Sequence, residues 1–269
     1  MNLNDGIRYV VSRPALQPLW SKLLKLCHAG MNYGGGQAVR NSGELSALAL
    51  LAQRFSPHEE VVIFDVGAND GEYAEAASRV FQQHRRRIFC FEPQRSSFLN
   101  LQGRFEHDPW MYPKHIAIGR ECGTVNLFSS PNRQSTSSLH GGGSNSEWLS
   151  EQVEITTIDK VSSESGIDYI ALLKIDTEGH EIDVLLGATL MIESGKVAAI
   201  QFEFGETFLQ TNHHFKDIFD ILSPRYIVYR VLRSGLVEVP RYHHDLEIYK
   251  LANFLCLKRP VEGLEQATL

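Results

Sequence analysis

The stretch Val62-Ile63-Phe64-Asp65-Val66-Gly67-Ala68-Asn69-Asp70-Gly71-Glu72 decides the fold of this chain. Its first residues form an apolar run, which is typical of a strand buried on both faces of a sheet. The glycines at its centre predict a tight turn that lets a ligand approach the backbone closely, and helical spacing begins after the turn. We therefore predict a strand, a glycine-bearing turn and a helix, the opening unit of an α/β fold.

The turn departs from the pattern that binds the pyrophosphate of a dinucleotide. That pattern is Gly-x-Gly-x-x-Gly, whereas here Asn69 stands at the second glycine position and the spacing from Gly67 to Gly71 is Gly-x-x-x-Gly. Asp65, at the end of the predicted strand, would also repel a pyrophosphate, but it can hold a positively charged amino-acid group through charge-assisted hydrogen bonds. These residues favour S-adenosylmethionine as the ligand, with a tight turn that binds nothing as the alternative.

A second carboxylate follows the next predicted strand. Glu92 stands 27 residues after Asp65, in Phe89-Cys90-Phe91-Glu92-Pro93. In nucleoside-binding α/β folds an acidic residue at this place accepts hydrogen bonds from the ribose hydroxyls. We predict that role for Glu92, with a helix N-cap or a surface carboxylate as the alternative.

Apolar runs and helical stretches alternate along the chain, which predicts right-handed βαβ units and a mostly parallel sheet with helices on both faces. The predicted strands span 61–66, 88–91, 115–118, 170–175, 197–204, 227–232 and 254–257, and the predicted helices span 72–83, 96–106, 180–193 and 207–222. Two further strands are predicted at 124–128 and 153–158. The segment 129–150 between them is rich in Ser, Gly and Asn, and we predict a long loop that is functional or mobile.

We divide the chain into an N-terminal helical extension (1–56), a Rossmann-like domain (57–259) and a flexible tail (260–269). In the extension, apolar residues at helical spacing over 16–27 predict a helix whose apolar face docks on the main body. The glycine cluster at 30–36 predicts a turn. We expect this cluster, the segment 129–150, or both, to close over the ligand.

Composition and charge exclude several classes of protein. The chain has 269 residues, of which 43% are hydrophobic, so it is not mainly disordered, and its net charge of −6 disfavours nucleic acid as a partner. No run approaches the roughly 18–20 apolar residues of a membrane span, and Met1-Asn2-Leu3-Asn4-Asp5 lacks the features of a signal peptide. We therefore expect a cytoplasmic location, and we expect the four scattered cysteines to be reduced thiols.

A second motif, Leu172-Leu173-Lys174-Ile175-Asp176-Thr177-Glu178-Gly179-His180-Glu181, places a dense polar group at the end of another predicted strand. Ligands in open α/β sheets bind at this edge. Together with the stretch 64–71, Phe91-Glu92-Pro93, Ala117-Ile118-Gly119 and Ser137-Ser138-Leu139, this motif resembles the FkbM family of S-adenosylmethionine-dependent methyltransferases. The resemblance covers about residues 60–205, and the run 174–181 is its most specific part.

The resemblance implies a seven-stranded Rossmann-like methyltransferase that acts on a hydroxyl of a sugar, a glycan or a natural product. It adds two positions to the predicted cofactor contacts, which become Asp65, Gly67, Asn69, Gly71, Glu92, Ala117 and Ser138. It does not identify the acceptor. The oligomeric state, including a homo-oligomer, also stays open.

A neutral alcohol is a poor nucleophile, so a base is needed to take the proton of the acceptor hydroxyl. We predict His180 or Asp176 in this role, and Asp176 is alternatively the residue that orients the imidazole of His180. Asp176 and Glu203, at the ends of two predicted strands, also form a candidate site for Mg²⁺ or Mn²⁺. Glu178 and Glu181 are alternatively residues that only cap the following helix.

Aromatic residues in the last third of the chain are predicted to stack on a sugar or to pack in the sheet: Tyr226, Tyr229, Tyr242 and Tyr249. Two other classes of protein stay open. One is a nicotinamide-dependent dehydrogenase, which Asn69 and Asp65 disfavour. The other is a non-catalytic module of the same fold that binds the cofactor or a carbohydrate.

Overall fold

The computed structural model describes residues 8–35, 38–130, 133–138 and 149–260, without the side chains of 129, 130, 133–138 and 149. The described strands are β1 (Glu60–Val66), β2 (Arg85–Phe91), β3 (Met111–Lys114), β4 (Ala117–Ile118), β5 (Gly123–Ser130), β6 (Arg133–Ser138), β7 (Leu149–Thr156), β8 (Leu172–Ile175), β9 (Ala199–Phe204), β10 (Tyr226–Leu232), β11 (Gly235–Glu238) and β12 (Ala252–Lys258). The described α-helices are α1 (Gln17–Gly30), α2 (Val39–Ser42), α3 (Glu44–Ala52), α4 (Glu72–Val80), α5 (Arg95–Arg104), α6 (Ile158–Glu164), α7 (Glu181–Leu186), α8 (Thr189–Glu193), α9 (Phe208–Thr211) and α10 (Phe215–Leu222).

The central sheet has eight strands in the order β11-β10-β12-β9-β8-β1-β2-β3. The neighbours β9, β8, β1, β2 and β3 run parallel to one another. At the other end of the sheet the pairs are antiparallel: β12 with β9, β10 with β12, and β11 with β10. The prediction of a mostly parallel, Rossmann-like sheet is confirmed, and β11 is an additional edge strand. Because the carboxyl ends of parallel strands lie at one edge, the residues that follow β1, β2, β8 and β9 meet there.

The central strands are buried on both faces. In β1, Val62 and Phe64 belong to one hydrophobic cluster, and Val61 and Ile63 belong to another. This alternation follows from the two-residue period of a strand, which points successive side chains to opposite faces. A strand in this position therefore needs apolar residues along its whole length, which explains the run that the sequence shows.

A second sheet has four strands in the order β4-β7-β5-β6. Strand β5 pairs antiparallel with β7, from Gly123 opposite Ile155 to Ser129 opposite Leu149, and β6 pairs with β5. The prediction of a loop over 129–150 is therefore wrong at the positions that these strands occupy, and residues 131–132 and 139–148 lie outside the described residues. Serine-rich strands lack the alternation of apolar and polar residues from which a strand is predicted.

The N-terminal helices differ in their contact with the sheet. Helix α3 packs through Ala47, Leu48 and Leu51, which are buried in the same cluster as Val61. Helix α1 has no buried residue, so the prediction that its apolar face docks on the main body is wrong. None of the helices in the described ranges has the length and apolar character that crossing a bilayer requires.

Two of the predicted helices are interrupted. The stretch 180–193 forms α7 and α8, and the break lies where Gly187 passes so close to Gly119 that an added Cβ would be 2.0 Å from the Gly119 carbonyl oxygen. The stretch 207–222 forms α9 and α10, separated by Asn212, whose φ is 58°. A left-handed residue cannot continue an α-helix, and asparagine tolerates this conformation better than most residues.

Candidate active site

A cavity of about 700 Å³ opens at the carboxyl edge of β1, β2, β8 and β9. This volume is within the range of small-molecule sites, roughly 300–1,000 Å³. The half beside β1 and β2 includes Gly67, Asn69, Glu92, Ile116, Ala117 and Ile118. The half beyond β9 includes Gly34, Glu206, Gln210, Tyr249 and Lys250, and the loop after β8 lies between the halves.

The glycines of the turn after β1 allow close packing of the chain. Gly67 has a φ of 80° and Gly71 a φ of 86°, both in the left-handed region that favours glycine. A Cβ on Gly67 would lie 1.8 Å from the carbonyl oxygen of Asp176, and a Cβ on Gly71 would lie 2.6 Å from the ring of Phe105. Gly67 lines the cavity and Gly71 does not. The contact of either glycine with a cofactor stays a prediction.

Glu92 joins the turn after β1 to the end of β2. Its Oε2 accepts a hydrogen bond from the Asn69 N–H at 2.8 Å, and its Oε1 accepts one from the Gln94 N–H at 2.8 Å. The carboxylate is buried in the cavity wall, and burial raises its pKa to about 7 despite these hydrogen bonds. Because a carboxylate oxygen accepts more than one hydrogen bond, Glu92 can also accept hydrogen bonds from the hydroxyl groups of a ligand.

Asp65 lies inside β1, fully buried, and is not part of the cavity wall. Burial raises the pKa of this carboxyl to about 7, an effect that the Lys174 ammonium opposes. Its Oδ2 has no hydrogen-bond partner among the described residues, and neither has the hydroxyl of Thr177, a residue that lines the cavity. Of these two residues, Thr177 lines the cavity, so its hydroxyl is available to a hydrogen-bonding ligand.

Glu181 closes the loop after β8. Its Oε1 accepts hydrogen bonds from the N–H groups of Thr177 at 3.0 Å and Gly179 at 3.3 Å. In the same loop Glu178 has a φ of 55°, although it is not a glycine, and its side chain lines the cavity. Strained residues of this kind are concentrated at functional sites. Glu181 therefore shapes the loop, whereas Glu178 is a further candidate site residue.

His180 is buried in the cavity wall, directly before α7. Its Nδ1 lies 3.6 Å from Oδ2 of Asp183, and Asp183 also forms an ion pair with Arg120 at 3.0 Å. The contact with His180 and the charge of Arg120 hold the pKa of Asp183 below its ordinary value. The carboxylate at Nδ1 of the imidazole is thus Asp183, whereas Asp176 accepts a hydrogen bond from Lys174 at 3.0 Å.

Lys174 lies in β8, next to the loop that follows this strand, and is a buried cation. Its Nζ lies 3.0 Å from Oδ2 of Asp176 and 3.7 Å from Oε1 of Glu44, which also accepts a hydrogen bond from the Gln201 side chain at 2.8 Å. Burial acts to lower the pKa of Lys174, but Asp176, Glu44 and Glu203 raise it above its ordinary value. Lys174 therefore stays charged, and Glu44 connects the N-terminal segment to the site.

The cavity has an acidic wall. Burial, reinforced by the charge of Asp176, raises the pKa of Glu178 to about 7 and that of Glu203 well above its ordinary value. Among the described residues that line the cavity, Lys250 is the one lysine or arginine. The wall therefore favours a cationic or neutral ligand over an anionic one.

Both motifs of this cavity lie in the part of the chain that matches a known family. Residues 65–231, more than half of the chain, match the sequence pattern of the methyltransferase FkbM domain. The chain belongs to the FkbM methyltransferase family. The resemblance that rests on the stretch 64–71 and the run 174–181 is thereby confirmed.

This chain is similar to the hexuronic acid methyltransferase AglP of Haloferax volcanii. The two sequences are 25% identical over 166 residues, which are 61% of this chain and 64% of AglP. The chain thus spans slightly less than two thirds of that relative. The crystal structure of methyltransferase FkbM from Methylobacillus flagellatus KT is 20% identical, with 75% of this chain and 44% of that chain covered and a TM-score of 0.49. Fibrillarin of Aeropyrum pernix, crystallised with natively bound S-adenosyl-L-methionine, is 13% identical, with 79% and 74% covered and a TM-score of 0.42.

The geometry of this FkbM domain does not support the predicted Mg²⁺ or Mn²⁺ site at Asp176 and Glu203. Within the described ranges, one cluster has three or more side chains close enough to bind a single metal ion, and it is the exposed group His243, His244 and Asp245. Asp176 and Glu203 are not part of it. The Lys174 ammonium already places positive charge 3.0 Å from Asp176. A divalent cation there would be repelled by the lysine.

The wall beyond β9 contains residues that lie outside both motifs of the FkbM domain, among them Tyr249 and Gly34, which were candidates on sequence grounds for stacking on a sugar and for closing over the ligand. Tyr249 has a φ of 51°, and its hydroxyl lies 2.5 Å from Nδ1 of His214. The Gly34 N–H donates a hydrogen bond to the Leu251 carbonyl at 2.8 Å, so the glycine segment near the N-terminus reaches the cavity. Of the four tyrosines, Tyr226 is fully buried in the core, whereas Tyr249 lines the cavity. These segments are distant from the motifs in sequence, and only the tertiary structure brings them together.

Proposed function

We propose that this chain is an S-adenosylmethionine-dependent methyltransferase that methylates a hydroxyl of a sugar. The cavity at the carboxyl edge of β1, β2, β8 and β9 is the observation that carries this proposal, because it joins both motifs of the FkbM domain in one wall. The acidic wall suits a sulfonium cation and disfavours the pyrophosphate of a nicotinamide dinucleotide. Membership of the FkbM family supports methyl transfer.

The half of the cavity beside β1 and β2 would hold the cofactor. Glu92 would accept hydrogen bonds from the ribose hydroxyls, the turn at Gly67 and Asn69 would hold the amino-acid group, and Ala117 would contact the adenine. The contact predicted for Asp65 requires the amino group to reach behind the cavity wall, where this carboxylate is buried. Bound S-adenosylmethionine supplies an electrophilic methyl group, and the protein supplies alignment. The role predicted for Ser138 falls on a side chain outside the described residues.

His180 is the proposed general base, because it lies in the wall between the two halves. Its neutral imidazole would take the proton of the acceptor hydroxyl, and Asp183 would stabilise the imidazolium that results. Arg120 holds Asp183 in place through its ion pair. Asp176 is the alternative base, but its carboxylate is already paired with Lys174.

The half beyond β9 would hold the acceptor. Glu206, Gln210 and Lys250 offer hydrogen-bonding groups for sugar hydroxyls, and the ring of Tyr249 offers an apolar face. The name of AglP, a hexuronic acid methyltransferase, supports a sugar as the acceptor class.

The test is methyl transfer by the purified protein. S-adenosylmethionine with a labelled methyl group is supplied with a panel of neutral hexosides, aminosugar glycosides and hexuronic acids, and labelled sugar is detected by mass spectrometry. In parallel, S-adenosylhomocysteine should raise the melting temperature and NAD should not, because a ligand of the native state stabilises it. Stabilisation by NAD alone would contradict the proposal. Stabilisation by S-adenosylhomocysteine with no transfer to any acceptor would indicate the non-catalytic module instead.

A further inference from the structure

Helix α1 is amphipathic, and its apolar face is exposed to solvent. Its spacing places Leu19, Trp20, Leu23, Leu24 and Leu26 on one side of the helix and Ser21, Lys22 and Lys25 on the other. The exposed fraction of these apolar side chains ranges from 38% for Trp20 to 68% for Leu26. Tyr9 and Val10, in the segment that precedes α1, are exposed as well. Large exposed apolar patches on a folded protein mark interaction sites.

The segment that carries this helix has the opposite charge to the rest of the protein. Residues 1–43 contain five basic residues, Arg8, Arg13, Lys22, Lys25 and Arg40, and one acidic residue, Asp5. Residues 44–269 contain 21 Lys or Arg and 31 Asp or Glu. The exposed apolar face therefore lies on a segment with a net positive charge, in an otherwise acidic protein.

We propose that α1 binds the surface of a membrane that contains anionic lipids. A helix with Trp and Leu on one face and Lys on the other lies in the plane of the lipid interface, and its basic residues are attracted to anionic headgroups. A second copy of this chain is a poorer occupant, because it would bring two segments with five basic residues each together.

The helix is linked to the cavity through a short, well-fixed segment. Asn32, two residues after α1, donates hydrogen bonds from its side-chain amide to the carbonyls of Ser42 at 2.8 Å and Val231 at 3.0 Å. Gly34 then lines the cavity. Binding of α1 to a membrane would therefore hold the rim of the cavity close to the lipid surface.

The first test measures binding of the full chain to vesicles by co-sedimentation. Vesicles of phosphatidylcholine with one part in three of phosphatidylglycerol are compared with vesicles of phosphatidylcholine alone. We expect binding to the anionic vesicles that weakens with salt, and about 25-fold weaker binding for Lys22→Gln/Lys25→Gln, about fivefold for each basic residue. Leu23→Gln/Leu24→Gln should also lose binding. The matched control is Leu99→Gln/Leu190→Gln, two exposed leucines on α5 and α8, which should bind like the wild type.

The second test uses Trp20 as a reporter. The chain has three tryptophans, so Trp110→Phe/Trp148→Phe leaves Trp20 alone. Its fluorescence should shift to shorter wavelength with anionic vesicles and not with zwitterionic ones, since the indole enters the interface.

Several outcomes would overturn the proposal. One is no binding to anionic vesicles; another is equal loss of binding in the Leu99→Gln/Leu190→Gln control. A third is a dimer in sedimentation velocity that Leu23→Gln/Leu24→Gln separates, with no vesicle binding, which would assign the face to a second copy. Unchanged melting temperatures and unchanged affinity for S-adenosylhomocysteine in all variants keep this test separate from that of the proposed methyltransferase activity.

Discussion

A Cβ built on Gly67 would lie 1.8 Å from the carbonyl oxygen of Asp176, so the turn after β1 and the loop after β8 touch at a position with no room for a side chain. Strands β1 and β8 are parallel neighbours, with Val66 opposite Ile175, which brings the two loops to the same edge. The two motifs of the FkbM domain are therefore held together by backbone packing. The arrangement of the proposed site depends on this glycine before any ligand binds.

The first prediction concerns this contact. Gly67→Ala should destabilise the protein, because the left-handed backbone of an alanine costs about 1–2 kcal/mol and the methyl group also displaces the loop after β8. The control is Gly103→Ala in α5, where no atom lies within 4 Å of an added Cβ and a gain of about 0.5–1 kcal/mol is expected. The free energy of unfolding in urea measures both. A Gly67→Ala protein as stable as the wild type would show that the loops do not approach as described.

The second prediction concerns the cofactor. Glu92→Gln and Asp65→Asn should each weaken S-adenosylhomocysteine by about ten- to more than a hundred-fold, because each loses a charge-assisted hydrogen bond of about 1.5–3 kcal/mol. Asp70→Asn, in the same turn but half-exposed and outside the cavity wall, is the matched control and should bind normally. Calorimetry gives the affinities. Normal affinity with altered stability in Asp65→Asn would place Asp65 in the Lys174 cluster rather than at the ligand.

The sequence predicted the parts of the site that lie at the ends of buried strands. The apolar runs before Glu92 and Asp176 indicate strands that point their following residues to one edge, and the structure has them there. Tyr249 and Lys250 have no such signal, because the segment before β12 joins the cavity only through tertiary contacts such as that of Gly34 with Leu251. Helix breaks at Gly187 and Asn212 were missed for a related reason, since each depends on local backbone geometry that the apolar spacing does not show.

The third prediction concerns stability and pH. Asp65, Glu92 and Glu178 each have a pKa raised to about 7 by burial, so the folded chain binds more protons than the unfolded chain between about pH 4 and 7. Stability from these groups is present at low pH and is lost as the pH rises through about 7. The lowered pKa of Asp183 changes the stability only below about pH 4, outside this pH range. The melting temperature should therefore fall less steeply from pH 5 to pH 8 in Asp65→Asn than in the wild type, and equal slopes would contradict the prediction.

The fourth prediction concerns the base. His180→Ala should reduce turnover by about 10²–10⁴-fold with nearly unchanged cofactor affinity, because the proton is removed only as the methyl group moves. Asp183→Asn should reduce turnover less, because the imidazole remains but loses its counter-charge. Asp220→Asn, an exposed change on α10, serves as the control. Each pH–rate profile is measured with a chelator and with added Mg²⁺ or Mn²⁺. Wild-type turnover and an unchanged acidic limb in His180→Ala would leave Asp176 as the favoured base.

The fifth prediction concerns the buried pair of Lys174 and Glu44, whose side chains approach to 3.7 Å. Lys174→Met should cost about 3–5 kcal/mol, because it leaves Glu44 and Asp176 buried or half-buried without their counter-charge. Glu44→Gln keeps a group that can bond Gln201 but removes the charge, so the double variant Glu44→Gln/Lys174→Met should be more stable than the sum of the single effects predicts.

The same cycle on Lys216 and Asp220, an exposed pair one turn apart on α10, is the control and should give a coupling of only about 0.3–0.5 kcal/mol. Urea denaturation of the four proteins in each cycle provides the coupling energies. A coupling between Glu44 and Lys174 no larger than that of the exposed pair would mean that α3 contributes to the site through apolar packing alone. A larger coupling would mean that Glu44, in the N-terminal segment, stabilises the Lys174 ammonium beside Asp176. Removal of the Glu44 charge should then lower the affinity for the cofactor as well as the free energy of unfolding.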